Sequence, residues 1–150
     1  MSRISTGIMM IIFVFVASPL YATNSHQQEN NKKIVLEFYE KAINQMDFEA
    51  ASVFLGPHYV QHNQRAADGI EGLKSFISYL RDTFPHAHST IKRVFADGVY
   101  VILHVHAVRI PGTRGIAIVD IFKLKDGKII EHWDVHEDIV DNPANANGMF

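Results

Sequence analysis

The fold is decided by residues 115–137, GIAIVDIFKLKDGKIIEHWDVHE. Apolar and polar residues alternate on both sides of Asp126-Gly127, a dipeptide that is typical of the turn in a β-hairpin. The same alternation extends back towards Pro85, with further turn signals at Asp97-Gly98 and Pro111-Gly112. We therefore predict four strands, over residues 91–96, 99–109, 115–125 and 128–137.

Before Pro85 the apolar residues recur at helical spacing instead. The positions between Val35 and Met46 predict one helix, and Asp47 can cap a short second helix over residues 48–55. A third helix begins near Gly69 and ends before Pro85, and residues 58–63 form a short extended segment. Helices followed by a meander of strands predict an α+β domain, with three helices packed on one face of a curved antiparallel sheet.

The N-terminal residues differ from the rest of the chain. Arg3 precedes an apolar run over residues 7–17, which is typical of a secretory signal peptide over residues 1–22, with cleavage after Ala22. An uncleaved anchor is the alternative, although a spanning helix needs roughly 20 apolar residues. We expect export to the periplasm or the exterior, a flexible leader over residues 23–31, the domain over 32–137 and a polar tail over 138–150.

Composition narrows the classes of partner. The chain has 150 residues, the length of one domain, with a formal net charge of −2 and no cysteine. This charge indicates no basic surface for nucleic acid, and the lack of cysteine excludes disulfides and thiolate metal sites. We expect no nucleic-acid partner, and no membrane association once the signal peptide is removed.

Side chains alternate across a sheet, so the strand register decides which of them share a face. A tight turn at Asp126-Gly127 would place Asp120 opposite Trp133. We prefer a three-residue turn, which places Asp120 opposite His132 and leaves the other face mainly aliphatic. One face then gathers an apolar wall and a titratable cluster: Ile102, His104, His106, Val108, Ile118, Asp120, Phe122, Ile130, His132, Asp134 and His136.

An apolar wall with clustered titratable groups is what a small-molecule pocket needs, and a carboxylate held there should have a raised pKa. Three other interpretations stay open. The histidines can lie against solvent or a partner subunit, and the two aspartates can be structural hydrogen-bond acceptors. A metal can be bound by His104-x-His106 together with His132-x-Asp134-x-His136, a spacing that suits zinc or iron.

Three segments also carry a resemblance to a known family: YVQHN over residues 59–63, GIEG over 69–72 and VDIFKLKDGKIIEHWDV over 119–135. Together they resemble SnoaL-like proteins of the nuclear transport factor two-like superfamily, which also contains ketosteroid isomerase and scytalone dehydratase. The tail over residues 145–150 resembles that of a subgroup described as aldol-condensation-catalysing. The resemblance implies a cone-shaped α+β barrel, commonly a homodimer, with the ligand between the concave face of the sheet and the helices.

The resemblance also implies a chemistry without metal or organic cofactor. In the polyketide cyclases of this family an aspartate at the place of Asp134 is the general acid/base of an aldol ring closure. A polar side chain that binds substrate falls at Gln61. A family histidine is replaced by Asp120 and a family glutamine by Ile118.

We therefore expect a cofactor-independent enzyme that acts on a small apolar carbonyl compound by aldol-type cyclisation, isomerisation or dehydration. The expected catalytic residues are Asp134 and Asp120. The expected substrate-binding residues are Gln61, His62, Asn63, His104, His106, Ile118, Phe122 and His132. The alternative is a non-catalytic ligand-binding or assembly module, because a fold does not imply a function.

Overall fold

A computed structural model describes the backbone of residues 19–150 and the side chains from residue 25 onward. Three helices lie on one face of a five-stranded mixed sheet with strand order β1-β5-β4-β3-β2. In chain order the elements are α1 (Pro19–Tyr39), a π-helical turn (Glu40–Asn44), α2 (Phe48–Ser52), β1 (Leu55–Gln61), α3 (Gly69–Thr83), β2 (His88–Asp97), β3 (Tyr100–Val108), β4 (Ile116–Lys125) and β5 (Lys128–Asp138). We call the helix-covered face of the sheet the inner face and the opposite face the outer face.

The helix α1 begins far earlier than the apolar spacing predicted. Residues 23–31, expected to be a flexible leader, are helical, and Asn31 is buried with its amide donating to the Gly98 carbonyl at 3.4 Å. This contact with the turn before β3 anchors residues 23–31 to the domain, although their polar composition predicted a flexible segment. The predicted signal peptide lies mostly outside the described residues. Among residues that the structure does describe, no helix combines the length and hydropathy needed to span a bilayer.

The other two helices follow their local signals. The Asp47 carboxylate accepts a hydrogen bond from the Ala50 N–H at 3.0 Å, which confirms the predicted cap of α2. This helix ends at Ser52 rather than residue 55, because β1 begins at Leu55. The prediction of α3 is confirmed, and its apolar face buries Leu73, Ile77 and Leu80 against the sheet.

The sheet corrects two details of the expected barrel. The strand β1 runs parallel to β5, so the sheet is mixed and not wholly antiparallel. Its edge strands β1 and β2 do not pair, so the sheet stays open rather than closing into a cone. The α+β class and the arrangement of helices on one curved face are confirmed.

The β4–β5 hairpin has a register that neither considered turn gives by itself. Lys125 pairs with Lys128 across a two-residue turn, with φ of 51° at Asp126 and 71° at Gly127, so the preferred three-residue turn was wrong. The register then shifts after Leu124, and Asp120 pairs with Asp134. This differs by two residues from the preferred register, so the predicted grouping of Asp120, His132, Asp134 and His136 on one face holds. The shift also makes Ile129, not Ile130, part of the core.

The β3–β4 register overturns the other half of the predicted face. Leu103 pairs with Asp120 and Val105 with Ile118, so the odd-numbered residues of β3 face inward. Val101, Leu103, Val105 and Ala107 are all fully buried. Their even-numbered neighbours, including His104 and His106, therefore lie on the outer face. The length of the connection over residues 109–115 decides whether the odd or the even residues of β3 face inward. Its sequence does not determine how many of its residues extend the two strands, so the wrong set was predicted.

Candidate functional site

A small cavity lies between the helices and the inner face. Its volume is about 60 Å³, which at roughly 10–15 Å³ per water holds about four to six water molecules. The helices supply an apolar wall that includes Phe38, Ile43 and Phe76, and the strands β4 and β5 supply Asp120, His132 and Asp134. The cavity thus joins an apolar side to a titratable side, as the sequence predicted.

Asp120 is the most deeply buried ionisable group of the cavity. Its oxygen Oδ1 lies 3.1 Å from His132 Nε2, whereas Oδ2 is buried and has no hydrogen-bond partner. Loss of hydration raises the pKa of this carboxyl group, and the hydrogen bond with His132 opposes that shift only in part. Asp120 therefore holds a proton more tightly than an ordinary aspartate.

The second partner of His132 determines which of its ring nitrogens carries a proton. Its Nδ1 lies 3.1 Å from Gln61 Oε1, which also accepts a hydrogen bond from the Asn63 N–H at 2.8 Å. Because Gln61 Oε1 is an acceptor, Nδ1 of His132 must carry a proton and donate it. The hydrogen bond between His132 Nε2 and Asp120 Oδ1 then involves a single proton, which resides either on the imidazole or on the carboxyl group.

Asp134 lies directly across the strand pair from Asp120 but has the opposite surroundings. Both of its carboxylate oxygens lie 2.8 Å from Asn63 Nδ2, and Oδ2 also lies 3.0 Å from His136 Nε2. Burial acts to raise the pKa of this carboxyl group, yet the hydrogen bonds from His136 and Asn63 outweigh it and leave the pKa lowered. Asp134 is therefore a carboxylate near neutral pH.

Two tyrosines complete the polar lining. Burial, with the nearby charge of Asp120, raises the pKa of both Tyr39 and Tyr59, so each phenol stays neutral. Tyr59 Oη accepts a hydrogen bond from Gln61 Nε2 at 3.2 Å, which leaves its own proton available to donate. Neither tyrosine was predicted as a site residue, because their positions on α1 and β1 indicated only core packing.

Seven of the predicted site residues line the cavity: Asp120, Asp134, Gln61, Asn63, Ile118, Phe122 and His132. The other three predicted substrate-binding residues do not line this cavity. His62 bridges to Glu131 at 2.9 Å and stacks on Trp133 with ring centroids 4.5 Å apart, next to the outer face. His104 forms a hydrogen bond with Arg93, and His106 forms one with the Arg114 carbonyl. Both histidine rings pack against Phe150. His104 and His106 lie outside the cavity because the register of β3 turns its even positions outward. His62 follows β1 and lines a neighbouring open cleft together with Asn63, Asp134 and His136.

The predicted metal set is therefore not assembled, since His104 and His106 lie across the sheet from His132. Within the described part of the chain, Asp120, His132 and Asp134 each offer a ligand atom, and these atoms lie within 4.8 Å of one another. They are the residues that could hold a metal ion. In the arrangement seen here His132 and Asp120 are bonded to each other instead.

Comparison with known families agrees with this fold. A model of the SnoaL-like domain matches residues 35–132, about two thirds of the chain, so the protein belongs to the SnoaL-like family. The matched range includes Asp120 and His132. No curated protein sequence is a significant match.

Solved structures give the same fold at low sequence identity. TsrD from Streptomyces laurentii is 21% identical with a TM-score of 0.62, over 73% of this chain and 90% of its own. A candidate polyketide cyclase from Acidithiobacillus ferrooxidans is 19% identical with a TM-score of 0.61, over 72% and 88%. A candidate ketosteroid isomerase from Kribbella flavida is 14% identical with a TM-score of 0.64, over 79% and 86%. At these identities the likeness extends to the fold alone.

Proposed function

We propose that this SnoaL-like protein is a cofactor-independent acid/base enzyme. It would move a proton at a carbon next to the carbonyl of a small compound, during an aldol-type cyclisation, an isomerisation or a dehydration. One observation carries the proposal: two carboxyl groups, paired across β4 and β5, line one cavity and have oppositely shifted pKa values. Such pairs divide the roles of acid and base between them.

Asp134 is the base in this proposal, because its hydrogen bonds keep it ionised. It takes a proton from the carbon next to the carbonyl, and negative charge then develops on the carbonyl oxygen. The single proton between Asp120 and His132 is positioned to be donated to that oxygen. The neutral phenol of Tyr59 offers a second hydrogen bond to it.

The remaining cavity residues would hold the substrate. Ile118 and Phe122 would pack against its apolar part, while Gln61 and Asn63 fix the orientations of His132 and Asp134. The volume of about 60 Å³ favours a compact molecule of few heavy atoms. The large apolar pockets of drug-sized ligands reach roughly 300 Å³ or more.

The test is deuterium exchange into small ketones and oxo acids in heavy water, followed by proton NMR. Asp134→Asn keeps the shape of the side chain but cannot accept a proton, so exchange should slow by roughly 10²–10⁴-fold. Asp97→Asn, at the exposed end of β2, is the matched control and should exchange at the wild-type rate. Full exchange activity in Asp134→Asn would refute the assignment. Binding of these compounds by the wild type without any exchange would favour the ligand-binding module.

Assembly and location belong to the same proposal. The cross-strand pair Val119 and Val135 is exposed on the outer face, Val135 at 68%, which supports a homodimer formed through this face. Val135→Asp should then convert the species measured by light scattering to a monomer. The apolar run behind Arg3 supports export with removal of residues 1–22, which N-terminal sequencing of the exported protein tests.

A further inference from the structure

Arg109 is a cation in the cavity wall that the acid/base chemistry does not use. It directly follows β3 and is partly buried, with its side chain among the residues that line the cavity. Three other arginines have side-chain partners: Arg114 with Asp141 at 2.7 Å, Arg93 with His104 at 3.0 Å and Arg81 with Asp82 at 3.4 Å. Within residues 25–150, Arg109 forms no salt bridge and no side-chain hydrogen bond, and its charge acts to lower the pKa of Tyr39.

The acids of the cavity do not satisfy this cation. Asp134 is hydrogen-bonded by Asn63 and His136, and Asp120 is bonded to His132. Arg109 also borders an open cleft beside residues 110–116, so an anion can reach its unpaired N–H donors, and its partly buried position limits the competition from bulk water. Its planar fork of N–H donors matches the two oxygens of a carboxylate.

We infer that the substrate carries a carboxylate, which Arg109 binds while Asp134 and Asp120 act on the neighbouring carbonyl. This inference rests on the proposed function and narrows its substrate class to short oxo acids. The small volume agrees with such a molecule, whose carboxylate and carbonyl are few bonds apart. Arg109 is then a residue that determines specificity and orients the substrate.

The test measures binding by calorimetry, which does not depend on turnover. Pyruvate and acetoacetate are compared with pyruvamide and acetoacetamide, which have the same shapes without the charge. The wild type should bind the acids roughly 10–100-fold more tightly than the amides, the effect of one charge-assisted hydrogen-bonded pair. Arg109→Met should remove that preference, and Arg109→Lys should retain part of it.

Arg114→Met is the control, because Arg114 is exposed and paired with Asp141 outside the cavity. It should bind both sets of compounds as the wild type does. Three results would overturn the inference: equal binding of acids and amides, a preference that survives in Arg109→Met, or no binding of either acid. A preference that disappears in Arg109→Met supports it even if Asp134→Asn exchanges deuterium normally, in which case only the proposed catalysis fails.

Discussion

The buried carboxyl of Asp120 should make the protein less stable as pH rises, and Asp120→Asn should remove that dependence. Below about pH 4 the group is protonated in both the folded and the unfolded chain. Above this value the unfolded chain releases the proton, whereas burial raises the pKa of Asp120 in the folded chain and keeps it bound. The free energy of unfolding therefore falls until the pH passes the raised pKa.

Asparagine keeps the size of the side chain and cannot ionise. Its Nδ2 can donate to His132 Nε2, at the place where Asp120 Oδ1 lies 3.1 Å away, so the contact survives. The variant should gain stability over the wild type by about 1.4 kcal/mol for each unit by which folding raises the pKa. The gain comes from Oδ2, which is buried without a hydrogen-bond partner, because an ionised oxygen there is an unpaired buried charge whereas the amide oxygen of asparagine is neutral.

Urea unfolding of both proteins, from about pH 4 to pH 8, measures the difference. Titrations of groups that do not interact with Asp120 are shared by both proteins and cancel. Asp97→Asn provides the control, since this exposed residue should leave the curve parallel to that of the wild type. Parallel curves for wild type and Asp120→Asn would refute the reasoning, because they would mean that Asp120 binds protons equally in the folded and unfolded chains.

Three further outcomes follow from the geometry. Asn63→Ala removes hydrogen bonds that lower the pKa of Asp134. The acidic limb of the pH profile of kcat/KM for deuterium exchange should therefore move to higher pH. An acidic limb at the wild-type position would contradict the role of Asn63. The double variant His104→Ala with His106→Ala should exchange deuterium at the wild-type rate, because both rings lie on the outer face, and a large loss would contradict that placement. Gly72→Ala should lower the free energy of unfolding measured in urea by about 1–3 kcal/mol, because a Cβ there would overlap the Ala67 carbonyl. Unchanged stability would show that the start of α3 can move to accommodate the Cβ at little cost.

Local signals predicted the elements whose causes are local. The apolar face of α3, the Asp47 cap and the Asp126-Gly127 turn each depend on residues a few positions apart. The sequence could not predict β1 in the same way. Gly56-Pro57 indicates the end of a helix, yet here it lies inside a strand, which is possible because β1 is an edge strand and proline needs no ladder hydrogen bond there.

The sequence predicted the part of the candidate site that lies on β4 and β5, and it did not predict the part that depends on β3. Asp120, His132 and Asp134 share a face because alternation along β4 and β5 holds whenever the register changes by two residues. The position of β3 depends on the connection over residues 109–115, so its histidines were placed wrongly and Arg109 was overlooked. The odd residues of β3 from Val101 to Ala107 are all apolar, so the rule that an all-apolar set faces the core would have predicted them inside. That rule would have placed the histidines on the outer face and Arg109 on the inner face.

The irregularity at Ile130 is what brings the two aspartates together. A two-residue turn with a regular ladder would continue the pairing of Lys125 with Lys128 and place Asp120 opposite Trp133, so that Asp134 would face outward. The ladder instead passes from Leu124–Ile129 to Lys123–Glu131, leaving Ile130 as an extra residue. Ile130 packs where Gly56 of β1 has no side chain; a Cβ at Gly56 would lie 2.8 Å from its Cγ2. A glycine on the edge strand thus accommodates the bulge, and the bulge sets the face on which Asp134 can share a cavity with Asp120.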